Sequence, residues 1–296
     1  MKNHLTWTFG VLLLTALAAQ AGEISDAVRK ARLKNGILVV INGSESAYAE
    51  AAKTGLTVRG LETDQTKIKT VRKRLLASGV YGKVSVSKFD GKTLPFVNSL
   101  VNLIVDYSGK IKRSEALRVL TPGGEIIAKQ AGGWASDQKA WPKEMGEWNQ
   151  YLCNADNNGV ALDGAGPPER MQWTAGTTYG RFKHFMPSVT SMVTANGRIY
   201  AIEDVATSEA AGISKNYVLW ARDAFNGCEL WRRTLKDWDK EGLGPVKIIP
   251  VQLQRLLIAI GDRVYCTDGF DGPVTVFDGT SGKELSVFEN TATTRE

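Results

Sequence analysis

The chain begins a regular rhythm of apolar positions near residue 36. Gly36-Ile37-Leu38-Val39-Val40-Ile41 is an unbroken apolar run, as expected for a strand buried on both faces of a parallel sheet. A helical spacing over residues 47–53 follows, then a second strand over residues 56–61. Ile68, Val71, Leu75 and Leu76 fall on one face of a helix predicted over residues 65–78. Residues 84–86 read as a third strand, 100–106 as a fourth, and 124–129 as a fifth after a short helix. This strand–helix alternation predicts a doubly wound α/β domain over residues 22–130.

Residues 131–170 lose that rhythm. Trp134, Trp141 and Trp148 recur every seven residues among Gly132-Gly133, Pro142, Asn154 and Asn157-Asn158-Gly159. Such a density of glycine, proline and asparagine predicts an ordered connector, with the tryptophans pinning it to its neighbours. Asp156-Asn157-Asn158-Gly159 lacks the alternating acids and closing Glu of a calcium loop, so no metal site is expected. From Ser188 onward short strands alternate with turns, and the pattern repeats. Residues 193–200 parallel 258–265, and residues 219–227 parallel 275–282. Each copy reads as a hairpin followed by an Asp-x-x-x-Gly turn, so 171–296 is predicted to be all-β.

Composition sharpens this division. The 296 residues carry a formal charge of +6, but residues 22–130 hold 19 basic against 10 acidic side chains and residues 131–296 hold 17 against 21. That asymmetry indicates two domains more than one nucleic-acid binder. Lys67, Lys69, Arg72, Lys73 and Arg74 stud one predicted helix, and without interleaved aromatics they read as a solvated face. Met1-Lys2, the apolar run from Leu5 to Ala19, and Ala19-Gln20-Ala21 have the three parts of a secretory signal peptide over residues 1–21. About 15 apolar residues fall short of the roughly 20 that span a bilayer, so no transmembrane span is expected in the mature chain. The mature chain then has one histidine, His184, read as a packed or surface residue. Its three cysteines, Cys153, Cys228 and Cys266, leave pairing open.

Val58-Arg59-Gly60-Leu61-Glu62, Phe89-Asp90-Gly91, Leu94-Pro95-Phe96, Val101 to Val105 and Leu117-Arg118-Val119-Leu120-Thr121-Pro122-Gly123-Gly124 together resemble class I S-adenosylmethionine-dependent methyltransferases over about 100 residues. The resemblance implies a Rossmann-like sheet. It also implies a cofactor approached at the Gly43 turn, held at its ribose by Glu62 and flanked at its adenine by Asp90. The turn at residues 41–46 departs from that family: it has one glycine where two or three are usual, Ser44 and Ser46 add Cβ atoms where the cofactor would touch backbone, and Glu45 adds a negative charge. A degenerate domain is therefore expected, with no cofactor as the first expectation and S-adenosylmethionine as the alternative.

Ala221, Asp223, Gly227 and Trp231 match Ala-x-Asp-x-x-x-Gly-x-x-x-Trp, the docking signature of quinoprotein-type β-propeller blades, which the second half resembles. The resemblance implies that Asp and Gly shape a turn and that the Trp wedges against the adjoining blade. The second copy keeps Asp278 and Gly282 but has Ser286 in the Trp position. Catalytic quinoproteins bring calcium, an Asp base and adjacent cysteines to pyrroloquinoline quinone. No two cysteines here are adjacent, so that cofactor is not expected. Residues 171–296 hold about two blades, a partial propeller whose remaining blades are expected beyond Glu296 or in a partner. The whole reads as an exported, periplasmic binding or scaffold protein with an envelope partner and no catalytic residues. A methyltransferase and a quinone-dependent dehydrogenase are the competing enzyme classes. Mass spectrometry of the exported protein should find Gly22 as its first residue, and a chain starting at Met1 would refute the leader.

Overall fold

The computed structural model describes residues 22–164, 166, 171–176, 188–205, 216–236, 238, 251–269 and 271–292. Residues 1–21, where a leader is expected, and His184 lie outside the described residues. The chain divides into two compact units, one ending at Trp141 and one starting at Pro142.

In the first unit α1 (Glu23–Lys30) precedes β1 (Ile37–Ile41), α2 (Glu45–Ala51), β2 (Thr57–Glu62), α3 (Gln65–Ala77) and β3 (Val84–Lys88). Then come β4 (Val101–Asp106), α4 (Arg113–Val119), β5 (Leu120–Gln130) and β6 (Gly133–Gln138). The sheet order is β3-β2-β1-β4-β5-β6, with β1 to β5 parallel and β6 antiparallel to β5. This is a doubly wound, Rossmann-like arrangement. Strand pleating splits the core in two. Leu38, Val40, Leu103 and Val105 face Ile24, Tyr48, Ile68 and Val71, from α1, α2 and α3. Val39, Ile41 and Ile104 face Phe89, Leu94, Ala116 and Val119 on the other side.

The local differences from the sequence pattern have clear causes. Glu23–Lys30 was not expected as a helix, yet Ile24, Ala27 and Val28 at i, i+3 and i+4 are buried. Ser44 caps α2 by accepting from the Ala47 N–H at 3.2 Å, which starts that helix at Glu45 instead of 47. The sheet does not stop at residue 130. Gly132-Gly133 turns the chain back, and Trp134 enters β6, where its indole N–H donates to Glu23 Oε1 at 2.7 Å. Residues 133–138 therefore belong to the α/β unit and not to a connector.

The second unit contains two four-stranded antiparallel meanders. One consists of β7 (Val189–Ala195), β8 (Arg198–Asp204), β9 (Tyr217–Asp223) and β10 (Glu229–Thr234). After α5 (Val251–Arg255), which the sequence pattern did not announce, comes the other: β11 (Leu257–Ile260), β12 (Arg263–Thr267), β13 (Val274–Asp278) and β14 (Glu284–Phe288). The hairpin turns fall where the repeat places them, at Asn196-Gly197 (φ +47° and +71°) and at Gly261 (φ +56°). Val193, Tyr200, Leu219, Trp231, Leu257 and Phe277 share one core, so the two meanders pack against each other. Two four-stranded sheets are present among the described residues, and they form neither a closed barrel nor a closed propeller.

Gly282 and Gly261 separate backbone strain from packing. Both have positive φ, but a Cβ at Gly261 meets nothing within 4 Å, whereas one at Gly282 lies 2.6 Å from the Trp231 ring. Gly261→Ala should cost about 1 kcal/mol from backbone alone. Gly282→Ala should cost about 2–4 kcal/mol, with the added penalty of overpacking, as read from urea midpoints. Equal losses would show that the Trp231 contact is unimportant.

Candidate functional site

The carboxyl ends of β1, β2 and β4 meet where the strand order reverses, the place at which doubly wound sheets hold ligands. Asn42, directly after β1, adopts φ +51°, and its Oδ1 accepts from the backbone N–H and hydroxyl of Thr63 at 3.2 and 3.3 Å. The first turn is thus laced to the end of β2. Gly43 is required by the protein's own packing, because a Cβ there would lie 2.6 Å from Val40 Cγ1. Ser44 is spent on capping α2 and hydrogen-bonds Ser46 at 2.8 Å, while Glu45 pairs with Arg74 of α3.

Glu62 closes β2 and is 1% exposed. Its Oε1 accepts from the Tyr48 hydroxyl at 2.8 Å and from Lys67 Nζ at 2.9 Å. The Tyr48 ring reaches it by lying across Gly60, where a Cβ would stand 2.6 Å from Cε1. Burial first, then the charge of Glu62, pushes the Tyr48 phenol up, so it stays a proton donor to the carboxylate. Asp90 is exposed and shapes its own loop: Oδ1 accepts from the N–H groups of Lys92 and Thr93, both at 2.7 Å. Those bonds, Thr93 foremost, hold its carboxyl below the usual range. Glu62 is thus closed off from solvent while Asp90 faces it.

Asp106, at the end of β4, was not singled out from the sequence, although a carboxylate closing a buried strand at the switch point was a usable signal. It is fully buried. Its Oδ1 accepts from the Ser108 N–H at 2.8 Å and hydroxyl at 2.6 Å, and Oδ2 from the Ile111 N–H at 3.2 Å. It organises the loop after β4 and has little capacity left for a ligand.

The Leu94-Pro95-Phe96 and Arg118 elements have a structural explanation. Arg118 donates to the carbonyls of Leu94 and Phe96 at 3.0 and 2.8 Å and to Asn98 Oδ1 at 3.0 Å. Glu115 pairs with Arg118 at 2.7 Å and accepts the Leu94 N–H at 2.7 Å. In Pro122-Gly123-Gly124, Gly123 has φ +75° beneath the Trp141 indole, and a Cβ at Gly124 would lie 2.9 Å from the Thr121 carbonyl. The basic cluster is likewise partly consumed: Lys67 by Glu62, Arg72 by the Val86 carbonyl at 2.8 Å, Arg74 by Glu45. An open cavity of about 640 Å³ lies between α2 and α3, lined by Ser44, Ser46, Ala49, Val71, Arg74 and Leu75 among others.

In the second unit Asp223 Oδ1 accepts from the Phe225 and Asn226 N–H groups at 2.8 and 3.1 Å, and Asp278 Oδ1 from the Ser281 N–H at 2.8 Å. Gly227 and Gly282 close these turns at φ +71° and +67°. Ala221 is buried on β9. Trp231 donates to the Gly279 carbonyl at 2.9 Å and covers Gly282. Trp173, which the sequence reading passed over, does the same to the other turn, donating to the Ala224 carbonyl at 3.0 Å and covering Gly227. All three cysteines are free, and the described residues contain no acidic, histidine or cysteine cluster able to hold a metal.

No family model and no curated protein matches the chain. Solved structures overlap it in part. The geranyl diphosphate C-methyltransferase of Streptomyces coelicolor is 18% identical with a TM-score of 0.36, over 43% of this chain and 52% of that one. A geranyl diphosphate methyltransferase in complex with S-adenosylmethionine gives 19% and 0.34, over 37% and 47%. A methyltransferase of Methanosarcina mazei gives 17% and 0.30, over 34% and 55%. The chain spans about half the length of these proteins. Overlaps of that size carry no functional information; the site's own geometry does.

Arg118 offers a direct check on the structural motif. Arg118→Ala should cost about 1–2 kcal/mol at neutral pH, since it removes hydrogen bonds at a partly exposed charged group. The Arg118 guanidinium holds the Glu115 carboxyl below its usual range. Its stabilisation is therefore present above the ordinary carboxylate pKa and lost as pH falls through the lower folded value. The gap between wild type and variant should narrow as pH falls from the ordinary carboxylate pKa through the lower folded value, leaving the part due to the Leu94 and Phe96 carbonyls; a gap constant with pH would contradict this pairing.

Proposed function

We propose that this chain is an exported binding or scaffold protein of the cell envelope whose α/β unit keeps a methyltransferase-like frame without a working cofactor cleft. One observation carries the reading: Glu62, which the resemblance assigns to the cofactor ribose, is 1% exposed and already holds Tyr48 and Lys67. A ribose hydroxyl would have to displace partners that satisfy a buried carboxylate, at a cost of about 1–3 kcal/mol for each group left unpaired. Asp106 is likewise engaged by the loop after β4, so the two buried acids of this crevice do not fit S-adenosylmethionine in this arrangement. The two Trp-docked meanders support blades of the quinoprotein-like kind as the binding part. Nothing in their Asp residues, which are turn formers, or their free cysteines supports a quinone site.

The alternative is an S-adenosylmethionine-dependent methyltransferase. The switch-point topology and the exposed Asp90, with only Oδ1 engaged, favour it. Isothermal titration of the full mature chain with S-adenosylmethionine and with S-adenosylhomocysteine separates the two. Binding weaker than about 1 mM is expected. A dissociation constant below about 10 μM, near −7 kcal/mol, would establish the cleft and overturn the scaffold reading.

A further inference from the structure

The first helix lacks a cap of its own. α1 begins one residue after the expected cleavage point, and its N-cap, Gly22, has no side chain to accept from the first-turn N–H groups. A carboxylate from α2 fills that place: Glu50 Oε1 accepts the Ser25 N–H at 2.7 Å. Glu50 is 8% exposed, and its other oxygen, Oε2, is buried with no hydrogen-bond partner. Two more atoms share that condition, Glu23 Oε2 and the Tyr107 hydroxyl.

These three oxygens belong to one neighbourhood. Tyr107 packs edge-on against Trp134 with ring centroids 5.1 Å apart, and the Trp134 indole N–H donates to Glu23 Oε1. After burial, the charges of Glu23 and Glu50 are what push the Tyr107 phenol up, so both carboxylates lie near enough to act on it. Among the described residues neither carboxylate has a cationic partner, since Arg29 pairs with Asp26 and Lys30 with Glu125. The positive end of the helix dipole accounts for Oε1 of Glu50 alone. A buried carboxylate oxygen left without a partner is costly.

We propose that removal of residues 1–21 supplies the missing cation: the α-ammonium created on Gly22 is held by the unpartnered oxygens of Glu50 and Glu23, and export processing thereby locks α1 onto the α/β unit. The step is a hydrolysis by a leader-cleaving peptidase. Water adds across the Ala21–Gly22 peptide bond, leaving a carboxylate on Ala21 and an ammonium on Gly22. Before cleavage that nitrogen is an uncharged peptide N–H with one proton. Afterwards it is a cation with three donors, on the same residue whose helix end Glu50 caps. At neutral pH an α-amino group is largely charged, its ordinary pKa being about 7.7–8.0.

The latch rests on leader removal, which the mass of the exported protein tests by itself. If that mass shows Met1, the leader reading fails, and a chain given a Gly22 start by a protease in vitro still tests the latch. Three forms of the otherwise complete chain are compared: free Gly22 amine, α-N-acetylated Gly22, and one extra Ala before Gly22, which moves the ammonium by about 3.8 Å. Each is made with Glu50 and with Glu50→Gln. The free-amine form should melt about 3 °C or more above the other two, and Glu50→Gln should abolish that difference. A capping role alone would lower all three equally and leave the difference unchanged. The Gly22 amine should also acylate about tenfold more slowly than a free peptide amine, with Glu50→Gln restoring the ordinary rate. Equal melting of the three Glu50 forms with ordinary amine reactivity would overturn the proposal and leave the cluster to buried water.

Discussion

The crossing of Tyr48 over the backbone of β2 at Gly60 is the contact on which the first unit's crevice depends. With no Cβ at Gly60, the ring lies flat enough for its hydroxyl to reach Glu62. That one approach removes the carboxylate from solvent and recruits Lys67. Glycine at position 43 answers a separate constraint, since a Cβ there would lie 2.6 Å from Val40 Cγ1 of β1. Glycine and the acid thus occupy familiar positions of a nucleotide-type cleft while serving the interior. Local packing accounts for both residues.

The second unit solves a different problem, two four-stranded sheets that would each leave an apolar face bare. An indole from the preceding segment lies on the glycine that ends each Asp-x-x-x-Gly turn: Trp173 on Gly227 and Trp231 on Gly282. The positive φ at each glycine gives the tight turn, and the missing Cβ gives the indole its seat. Residues 148 and 149 add a second tie. The Trp148 carbonyl accepts from Thr194 of β7 at 2.7 Å, and the Asn149 carbonyl accepts from Ala259 of β11 at 2.8 Å. Residues 148 and 149, within the segment read as a connector, therefore tie it to both meanders.

Motifs in this chain were easier to find than to interpret. Arg118 and Pro122-Gly123-Gly124 stand out in the sequence, yet their work is to clamp the 94–98 loop and to bend β5. Asp106 was passed over, although an acid closing a buried strand was a signal for the residue that organises the loop at the switch point. Glu23, Glu50 and Tyr107 are far apart in sequence and come together only when α1 and α2 pack beside the end of β4.

The sequence by itself determined the order and type of the elements, α1, β6 and α5 excepted. Continuous apolar runs mark the parallel strands, apolar spacing at i, i+3 and i+4 marks the helices, and a repeated Asp-x-x-x-Gly turn marks the meanders, because each signal is local and set by backbone geometry. Tertiary structure alone decided whether Glu62 faces solvent or Tyr48, whether Trp134 lies in a connector or in β6, and which indole covers which glycine. Those outcomes depend on distances between segments that are remote in the chain. Such distances are fixed only when the whole core closes, and no spacing along the sequence encodes them.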